Sequence, residues 1–286
     1  MLRTPPRDPL RARGRLHLVA SALGFGLMAA FVKLAGRSLP TSEIVMARAC
    51  ISLLLSWLLL RRRRVSPWGH ARSLLLLRGV FGFGGLCCFY YAVTHLPLAE
   101  ATVIHFTNPI LTAALAALVL GERSGLGVIV GLMCGLGGTL LVARPSVGGE
   151  HALAPLAVAI AFGGALFSAA AYVTVRRLAR SEDPLVIVFY FPLVAVPAAL
   201  PWVMHDFVWP RGIEWLWLAL VGVFTQVGQV QLTRGLKLLP AGQAMTIGYL
   251  QIVFAAALGL LLFGETPAIN TWLGCGLIVA GAFAAR

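Results

Sequence analysis

Three polar side chains recur on one face of a long apolar stretch between residues 213 and 236. Gln226, Gln229 and Thr233 lie at positions i, i+3 and i+7, which share one side of an α-helix. Amide and hydroxyl groups at this spacing can hydrogen-bond the polar end of a small molecule or, alternatively, a neighbouring helix. Three such groups in one line favour the first interpretation, so the stripe predicts the wall of a polar cavity.

A second polar face occurs between residues 98 and 120, where Thr102, His105 and Asn108 are followed by Pro109. Proline has no amide hydrogen, so Pro109 leaves the carbonyl of His105 without its helical partner and predicts a broken helix. His105 could exchange a proton near neutral pH, or it could be a hydrogen-bonded structural residue. Both alternatives stay open at the level of sequence.

The sequence contains none of the usual catalytic or metal-binding motifs. It has no His-Glu-x-x-His helix, no Gly-x-Ser-x-Gly elbow and no phosphate-binding P-loop. Asp8, Asp183 and Asp206 lie outside the apolar stretches, and the five cysteines show no metal-type spacing. We therefore expect no enzyme activity, no cofactor, no metal and no direct use of ATP.

Composition places these residues in a membrane. The chain is 59% hydrophobic and only 12% charged, with a mean hydropathy of +0.88, whereas soluble domains carry about a quarter charged residues. The net charge of +13 lies beside the apolar segments. Anionic lipid headgroups account for that placement better than nucleic acid does.

The two halves of the chain repeat each other at a constant offset, which is half of its total length. Leu96-Pro97 recurs as Leu239-Pro240, and Gly121-Glu122 recurs as Gly264-Glu265. Isolated glycines and cations follow the same offset, which indicates a duplication. These pairs are Gly131 with Gly274, Gly138 with Gly281, Lys33 with Arg176 and Arg37 with Arg180.

Cutting the chain at its polar, Pro and Gly breaks predicts an all-α membrane protein with ten transmembrane helices, five in each half. Residues 1–15 form a basic cytoplasmic tail, 16–143 the first repeat and 153–286 the second. The predicted spans are 16–36, 42–60, 74–94, 98–120, 125–143, 153–177, 185–203, 213–236, 240–263 and 268–285.

The distribution of arginine predicts that both termini are cytoplasmic, because short cytoplasmic loops carry an excess of basic residues. Arg61–Arg64, Arg72, Arg78 and Arg123 are assigned to this side, while Arg48 lies within the second span. With five spans per repeat, the second copy enters the membrane from the opposite side. The halves are therefore predicted to be inverted repeats around a central site.

The repeated pattern resembles a known family. Leu-Pro-x-x-x-Ala with Pro109, the pair Gly121-Glu122 and a glycine-rich span over 127–138 are similar to the EamA repeat, and residues 239–281 resemble it too. Pairs of this repeat define the ten-helix exporters of the drug/metabolite transporter superfamily. Lys33 and Arg48 occupy positions where the family often has basic residues. The resemblance implies export of amino acids, metabolites or amphipathic toxic compounds.

The same half-chain offset extends the set of candidate binding residues. The residues equivalent to the polar stripe in the first half of the chain are Phe83, Leu86 and Tyr90. One wall of the cavity would therefore be aromatic and its equivalent polar. The neighbouring glycines could permit bending of this helix or close packing against another. These glycines are Gly82, Gly84 and Gly85, and the further candidates are Phe25, Met28, Ser168, Tyr172, Thr246 and Gln251.

We expect a secondary transporter that exports small amphipathic solutes, amino acids first, by alternating access through a cavity between the repeats. The absence of Asp or Glu from the middle of any span disfavours lipophilic cations. Exporters of drugs or other metabolites and lipid flippases are alternatives, and an intramembrane enzyme is a remote one. The expected partners are a small-molecule substrate and the lipid bilayer of the bacterial inner membrane, without nucleic acid. A homodimer is neither required nor excluded.

Overall fold

The computed structural model describes residues 9–96, 98–143 and 154–285, and it is helical throughout these ranges apart from short connections. Gly121 and Gly264 adopt left-handed backbone angles (φ 67° and 63°) at equivalent helix ends, a conformation that glycine accepts without steric cost. The helices are α1 (Pro9–Ala35), α2 (Thr41–Arg62), α3 (Arg72–His95), α4 (Leu98–His105), α5 (Asn108–Leu120), α6 (Leu126–Ala143), α7 (Pro155–Leu178), α8 (Pro184–Asp206), α9 (Glu214–Leu238), α10 (Ala241–Gly248), α11 (Leu250–Phe263) and α12 (Ile269–Ala284).

These helices make the ten predicted spans, because α4 with α5 and α10 with α11 each form one span from two pieces. In the described part of the chain, nine spans are long and apolar enough to cross a membrane, and α12 is a shorter apolar helix. Helix α1 begins at Pro9, so residues 9–15 of the predicted tail extend the first helix. Residues 1–8 of that tail lie outside the described residues.

The break in the fourth span follows from Pro109, as the sequence predicts. The carbonyl that proline leaves unpaired, that of His105, accepts a hydrogen bond from Nδ2 of Asn108 at 2.8 Å. The ninth span is interrupted at the equivalent place, at Tyr249, although Ile252 stands where the first copy has proline. There the amide of Ile252 bonds to the carbonyl of Tyr249, three residues back, in a tightened helical turn.

The helices pack as two inverted repeats. Helix α1 packs along α9, and the equivalent pair from the other copy, α7 and α3, packs in the same way. Helix α2 packs against its own counterpart α8, and α6 packs against its counterpart α12. Each contact is thus matched by a contact between the equivalent elements, as a pseudo-two-fold axis requires.

Repeated glycines carry the α6–α12 contact. A Cβ on Gly131 would lie 2.7 Å from the carbonyl oxygen of Gly281, and one on Gly138 would lie 2.6 Å from that of Gly274. Because Gly131 corresponds to Gly274 and Gly138 to Gly281, these two contacts are symmetry-related. The glycine-rich span on α6 therefore serves close packing within the chain.

Two pairs of equivalent residues touch each other and so mark the axis itself. Arg48 on α2 faces the ring of Phe191 on α8, and Phe106 packs against Tyr249 with ring centroids 6.1 Å apart. The two members of each pair are separated by half the length of the chain, which is the offset of the repeat. Since the axis of an inverted repeat lies in the membrane plane, both pairs lie at the centre of the membrane domain.

Candidate functional site

Two arginines meet at this centre, both close to the ring of one aromatic side chain. The guanidinium carbon of Arg48 lies 5.9 Å from the centroid of the Phe191 ring, and that of Arg78 lies 5.0 Å from it. Arg78 is 4% exposed. These distances are within the range of cation–π contacts, which partly compensate the lost hydration of a guanidinium group.

The surroundings of Arg78 hold its charged end in place. Its Nη2 donates to Oε1 of Gln229 on α9 at 3.1 Å, while its buried Nε has no hydrogen-bond partner. A Cβ on Gly82 would lie 2.8 Å from Nη1 of Arg78 and equally close to the ring of Phe191. Gly82 therefore supplies the space that the guanidinium group and the ring occupy. Helix α3 runs unbroken through this glycine, from Arg72 to His95.

Sequence reasoning missed Arg78 as a site residue. It grouped Arg78 with the basic residues at the cytoplasmic end because Arg72 is close by in the chain. Helix α3 begins at Arg72, which places Arg78 nearly two turns inside the helix, and its side chain turns into the protein. The signal that could have found it is an isolated arginine four residues before Gly82, on the same face of an otherwise apolar helix.

Aromatic and sulfur-containing side chains complete the surroundings of Arg48. Its Nη1 lies 3.9 Å from the sulfur of Met28, and the phenol groups of Tyr90 and Tyr172 lie nearby. Tyr172 also interacts with Arg78. Met28, Tyr90, Tyr172 and Gln229 were all predicted from sequence, and the structure brings them together around the two arginines.

Phe83 and Leu86 also belong to this region. They pack against a buried cluster that includes Phe191, so the aromatic wall expected on α3 lies beside the guanidinium groups. Gln226, by contrast, donates from Nε2 to Oγ of Ser56 on α2 at 2.8 Å. This hydrogen bond joins two helices, so in this conformation the Gln226 end of the polar stripe contributes to helix packing.

The remaining candidates lie in helix contacts or at the helix breaks. The hydroxyl groups of Thr233 and Thr246 bond to carbonyls one turn back in their own helices. A Cβ on Gly85 would lie 2.7 Å from Oγ of Ser168, and one on Gly228 would lie 2.9 Å from the ring of Phe25. Gly85, like Gly82, thus permits close approach, whereas a Cβ on Gly84 would meet the ring of Phe167 only at 3.6 Å.

The broken spans contact each other at the axis. The hydroxyl of Tyr249 donates to the carbonyl of Phe106 at 2.8 Å, which satisfies a backbone group freed by the break before α5. The ring of His105 packs against Phe89, with centroids 4.6 Å apart, and against Phe106. Asn108 is buried and caps His105, while Gln251, its counterpart, is half-buried.

Neither central arginine forms an ion pair with a carboxylate anywhere in the described ranges. Placing an arginine at the centre of a membrane helix costs about 2.5–3.5 kcal/mol on insertion scales. Two such groups, with only amide, phenol, sulfur and ring partners, leave this centre with net positive charge. A site of this kind attracts an anionic group from a ligand.

Two equivalent ion pairs lie at opposite ends of the domain. Nε of Arg176, at the end of α7, donates to Oε1 of Glu122 at 2.7 Å, and both side chains are largely buried (13% and 14% exposed). Lys33 pairs with Glu265 in the equivalent position, where the side chains are 51% and 50% exposed. The repeat therefore supplies the same cation–carboxylate contact at each end, buried at one and exposed at the other.

Two inverted five-helix repeats that enclose a polar centre, with a matched contact at each end, form the architecture of a secondary transporter. The chain belongs to the EamA-like transporter family, whose profile matches residues 12–144 and 155–285, one match for each repeat. It is thus a multi-pass membrane transporter of the drug/metabolite superfamily.

Individual relatives agree with this assignment. The chain is 35% identical to the pseudopaline exporter CntI of Pseudomonas aeruginosa over 95% of both sequences. It is 28% identical to mouse solute carrier family 35 member G1, over 94% of this chain and 76% of that protein. A crystal structure of another protein superposes with a TM-score of 0.80 and 23% identity, covering 93% of this chain, which shows a shared fold.

Proposed function

We propose that this protein is a secondary transporter of the bacterial inner membrane that exports small amphipathic solutes, with amino acids and their derivatives as substrates. The observation that carries the proposal is the central pair Arg48 and Arg78, which has no acidic partner among the described residues. A substrate carboxylate would supply the missing charge, and Phe83, Phe191 and Met28 would contact its apolar part. The name of the Pseudomonas relative, an exporter, supports the direction of transport.

Alternating access is the proposed mechanism, and the unequal ion pairs support it. The Glu122 end is closed, because Glu122 also accepts a hydrogen bond from the amide of Ala241 at 2.8 Å, and Arg176 binds the carbonyl of Leu236 at 2.6 Å. At the other end, the side chains of Lys33 and Glu265 are half-exposed, as expected of an end that is open in this conformation. If the Glu122–Arg176 pair opened while the Lys33–Glu265 pair closed, and then the reverse, the central site would be exposed to each side of the membrane in turn.

The same centre argues against lipophilic cations, since two guanidinium groups repel them. Anionic lipids are the second candidate, because guanidinium groups also bind phosphate. Amino acids and anionic lipids differ in size, so measuring which of the two crosses the membrane distinguishes the two candidates.

Purified protein in liposomes tests the proposal directly. Efflux of labelled phenylalanine, leucine and glutamate is measured with and without a pH gradient, and translocation of a fluorescent phosphatidylglycerol is measured in parallel. We expect efflux of at least one amino acid above that of protein-free liposomes and no lipid translocation. Lipid movement without amino acid efflux would replace the proposal with a flippase, and a response to the pH gradient would identify proton exchange as the driving reaction.

A further inference from the structure

We propose that the central site selects substrates with two carboxylates, one bound through Arg48 and the other through Arg78. This inference rests on the proposed function and names the substrate class of the same site. It predicts that acidic, net negative derivatives of amino acids bind better than zwitterionic amino acids with a single carboxylate.

Charge balance is the first argument. The Arg78 side chain is buried and that of Arg48 is half-buried near the axis, and neither has a carboxylate partner among the residues that the structure describes. A single substrate carboxylate would neutralise one of them and leave the other without a counter-charge. Two carboxylates neutralise both, which removes the desolvated excess charge that makes an unpaired buried ion unfavourable.

Hydrogen-bonding capacity is the second argument. Arg78 uses Nη2 to bind Gln229, but its buried Nε has no partner. The contacts of Arg48 are the sulfur of Met28 and the Phe191 ring, with the phenol groups of Tyr90 and Tyr172 nearby, and none of these residues supplies a carboxylate. Each arginine therefore retains donors for a carboxylate of its own, in the planar arrangement that suits bidentate binding.

The spacing of the two groups is the third argument. Because both guanidinium carbons lie against the same ring, at 5.9 and 5.0 Å from its centroid, they are no farther apart than the sum of these distances. A small molecule with carboxylates at two ends of a short chain can span that gap. The ring of Phe191, which lies close to both groups, would contact its apolar part.

The substrate's amino group is not matched in the same way. The carboxylates of Glu122 and Glu265 are engaged with cations at the ends of the domain, and Glu182 accepts backbone hydrogen bonds from His70 and Ala71 near the start of α3. An ammonium group at the centre would thus meet two guanidinium groups and no carboxylate from these residues. Zwitterionic amino acids with one carboxylate are consequently expected to bind more weakly than acidic derivatives with two.

Three probes that share a phenylalanine core separate these classes: phenylalanine, N-acetylphenylalanine with one carboxylate, and N-succinylphenylalanine with two. Binding to the purified full-length protein is measured by titration calorimetry. We expect N-succinylphenylalanine to bind at least about tenfold more tightly than N-acetylphenylalanine, the effect of one additional charge-assisted contact. Equal affinities in the unmodified protein would overturn the inference, as would tighter binding of phenyl phosphate, which would assign the site to phosphate.

Arg48→Gln and Arg78→Gln should each reduce this preference to less than about threefold, and the Lys variants should retain part of it. Arg61→Gln is the matched control, because Arg61 lies on the same helix as Arg48 but is exposed and stacks on Trp57. Preserved preference in both central variants would also overturn the inference. Flux in liposomes separates the two proposals: binding of the dicarboxylate without transport refutes the transport function alone, and amino acid efflux without dicarboxylate preference refutes the inference alone.

Discussion

Replacing Glu122 by glutamine should open the closed end of the domain. The carboxylate of Glu122 receives hydrogen bonds from Arg176 at 2.7 Å and from the amide of Ala241 at 2.8 Å, and Arg180 approaches it at 3.5 Å. Glutamine can still accept from Ala241, but it loses the charge that binds the two arginines. The contact that closes this end is therefore weakened while the fold around it is kept.

The magnitude follows from burial. A hydrogen bond to a charged group contributes about 1.5–3 kcal/mol, which corresponds to a shift of about 10- to 150-fold in the equilibrium between closed and open forms. Glu265→Gln removes the equivalent carboxylate from the exposed pair with Lys33. An exposed pair contributes about 0–1 kcal/mol, so this matched control should shift the equilibrium by no more than about fivefold.

Spin labels provide the assay. In a background without the native cysteines, labels attached through Arg177→Cys and Lys237→Cys report the separation of α7 and α9 at the Glu122 end, where both positions are exposed. Pulsed electron-spin resonance should show a longer-distance population that grows strongly in Glu122→Gln and little in Glu265→Gln. The reasoning is refuted if the Glu122→Gln distances match those of the unmodified protein, or if both variants respond equally.

Three further predictions concern the centre and the helix break. Gly82→Ala places a methyl group against the guanidinium of Arg78, so substrate efflux should fall about tenfold or more while folded protein remains in the membrane. Asn108→Ala leaves the carbonyl of His105 unpaired, which should lower the free energy of unfolding by about 1–3 kcal/mol, measured by thermal unfolding in detergent. Gln229→Leu removes the acceptor that orients Arg78, so efflux should fall while the amount of protein in the membrane stays normal.

Each of these substitutions has a control elsewhere in the same element or at the equivalent position. Gly84→Ala meets Phe167 only at ordinary contact distance and should leave efflux intact. Gln251→Ala, at the position equivalent to Asn108, should change the unfolding temperature less. Gln226→Leu breaks only the hydrogen bond to Ser56, so a loss of efflux as large as that of Gln229→Leu would assign the whole polar stripe to the substrate path.

The regular features of this fold could be predicted from sequence because they depend on local or repeated patterns. The half-chain offset placed Gly131 and Gly138 in register with Gly274 and Gly281, and these glycines meet in the structure. Hydropathy located all ten spans, and Pro109 located the break in the fourth. In each case the cause lies in the residue's own backbone chemistry or in a pattern that recurs along the chain.

The centre of the site was harder to predict because it depends on how distant helices meet. The local sequence distinguishes Arg78 from the arginines near it only by its distance from the start of the span and by the glycine four residues later; its burial results from packing of α3 against α7 and α8. No proline in the sequence predicts the helix interruption at Tyr249. It coincides instead with a tyrosine whose hydroxyl bonds to Phe106 across the axis, a contact that only the assembled repeats create.

Residues on the axis have a property that no other position shares, since each one meets its own copy. If both copies had arginine at the positions of Arg48 and Phe191, two like charges would face each other inside the protein. One arginine against one phenylalanine replaces that repulsion with a cation–π contact. Phe106 and Tyr249 differ in a comparable way, because the hydroxyl that only Tyr249 carries donates to the backbone carbonyl of Phe106. Divergence between the copies at the axis therefore permits the charge of Arg48 near the axis, beside that of Arg78, and we propose that a ligand supplies the opposite charges.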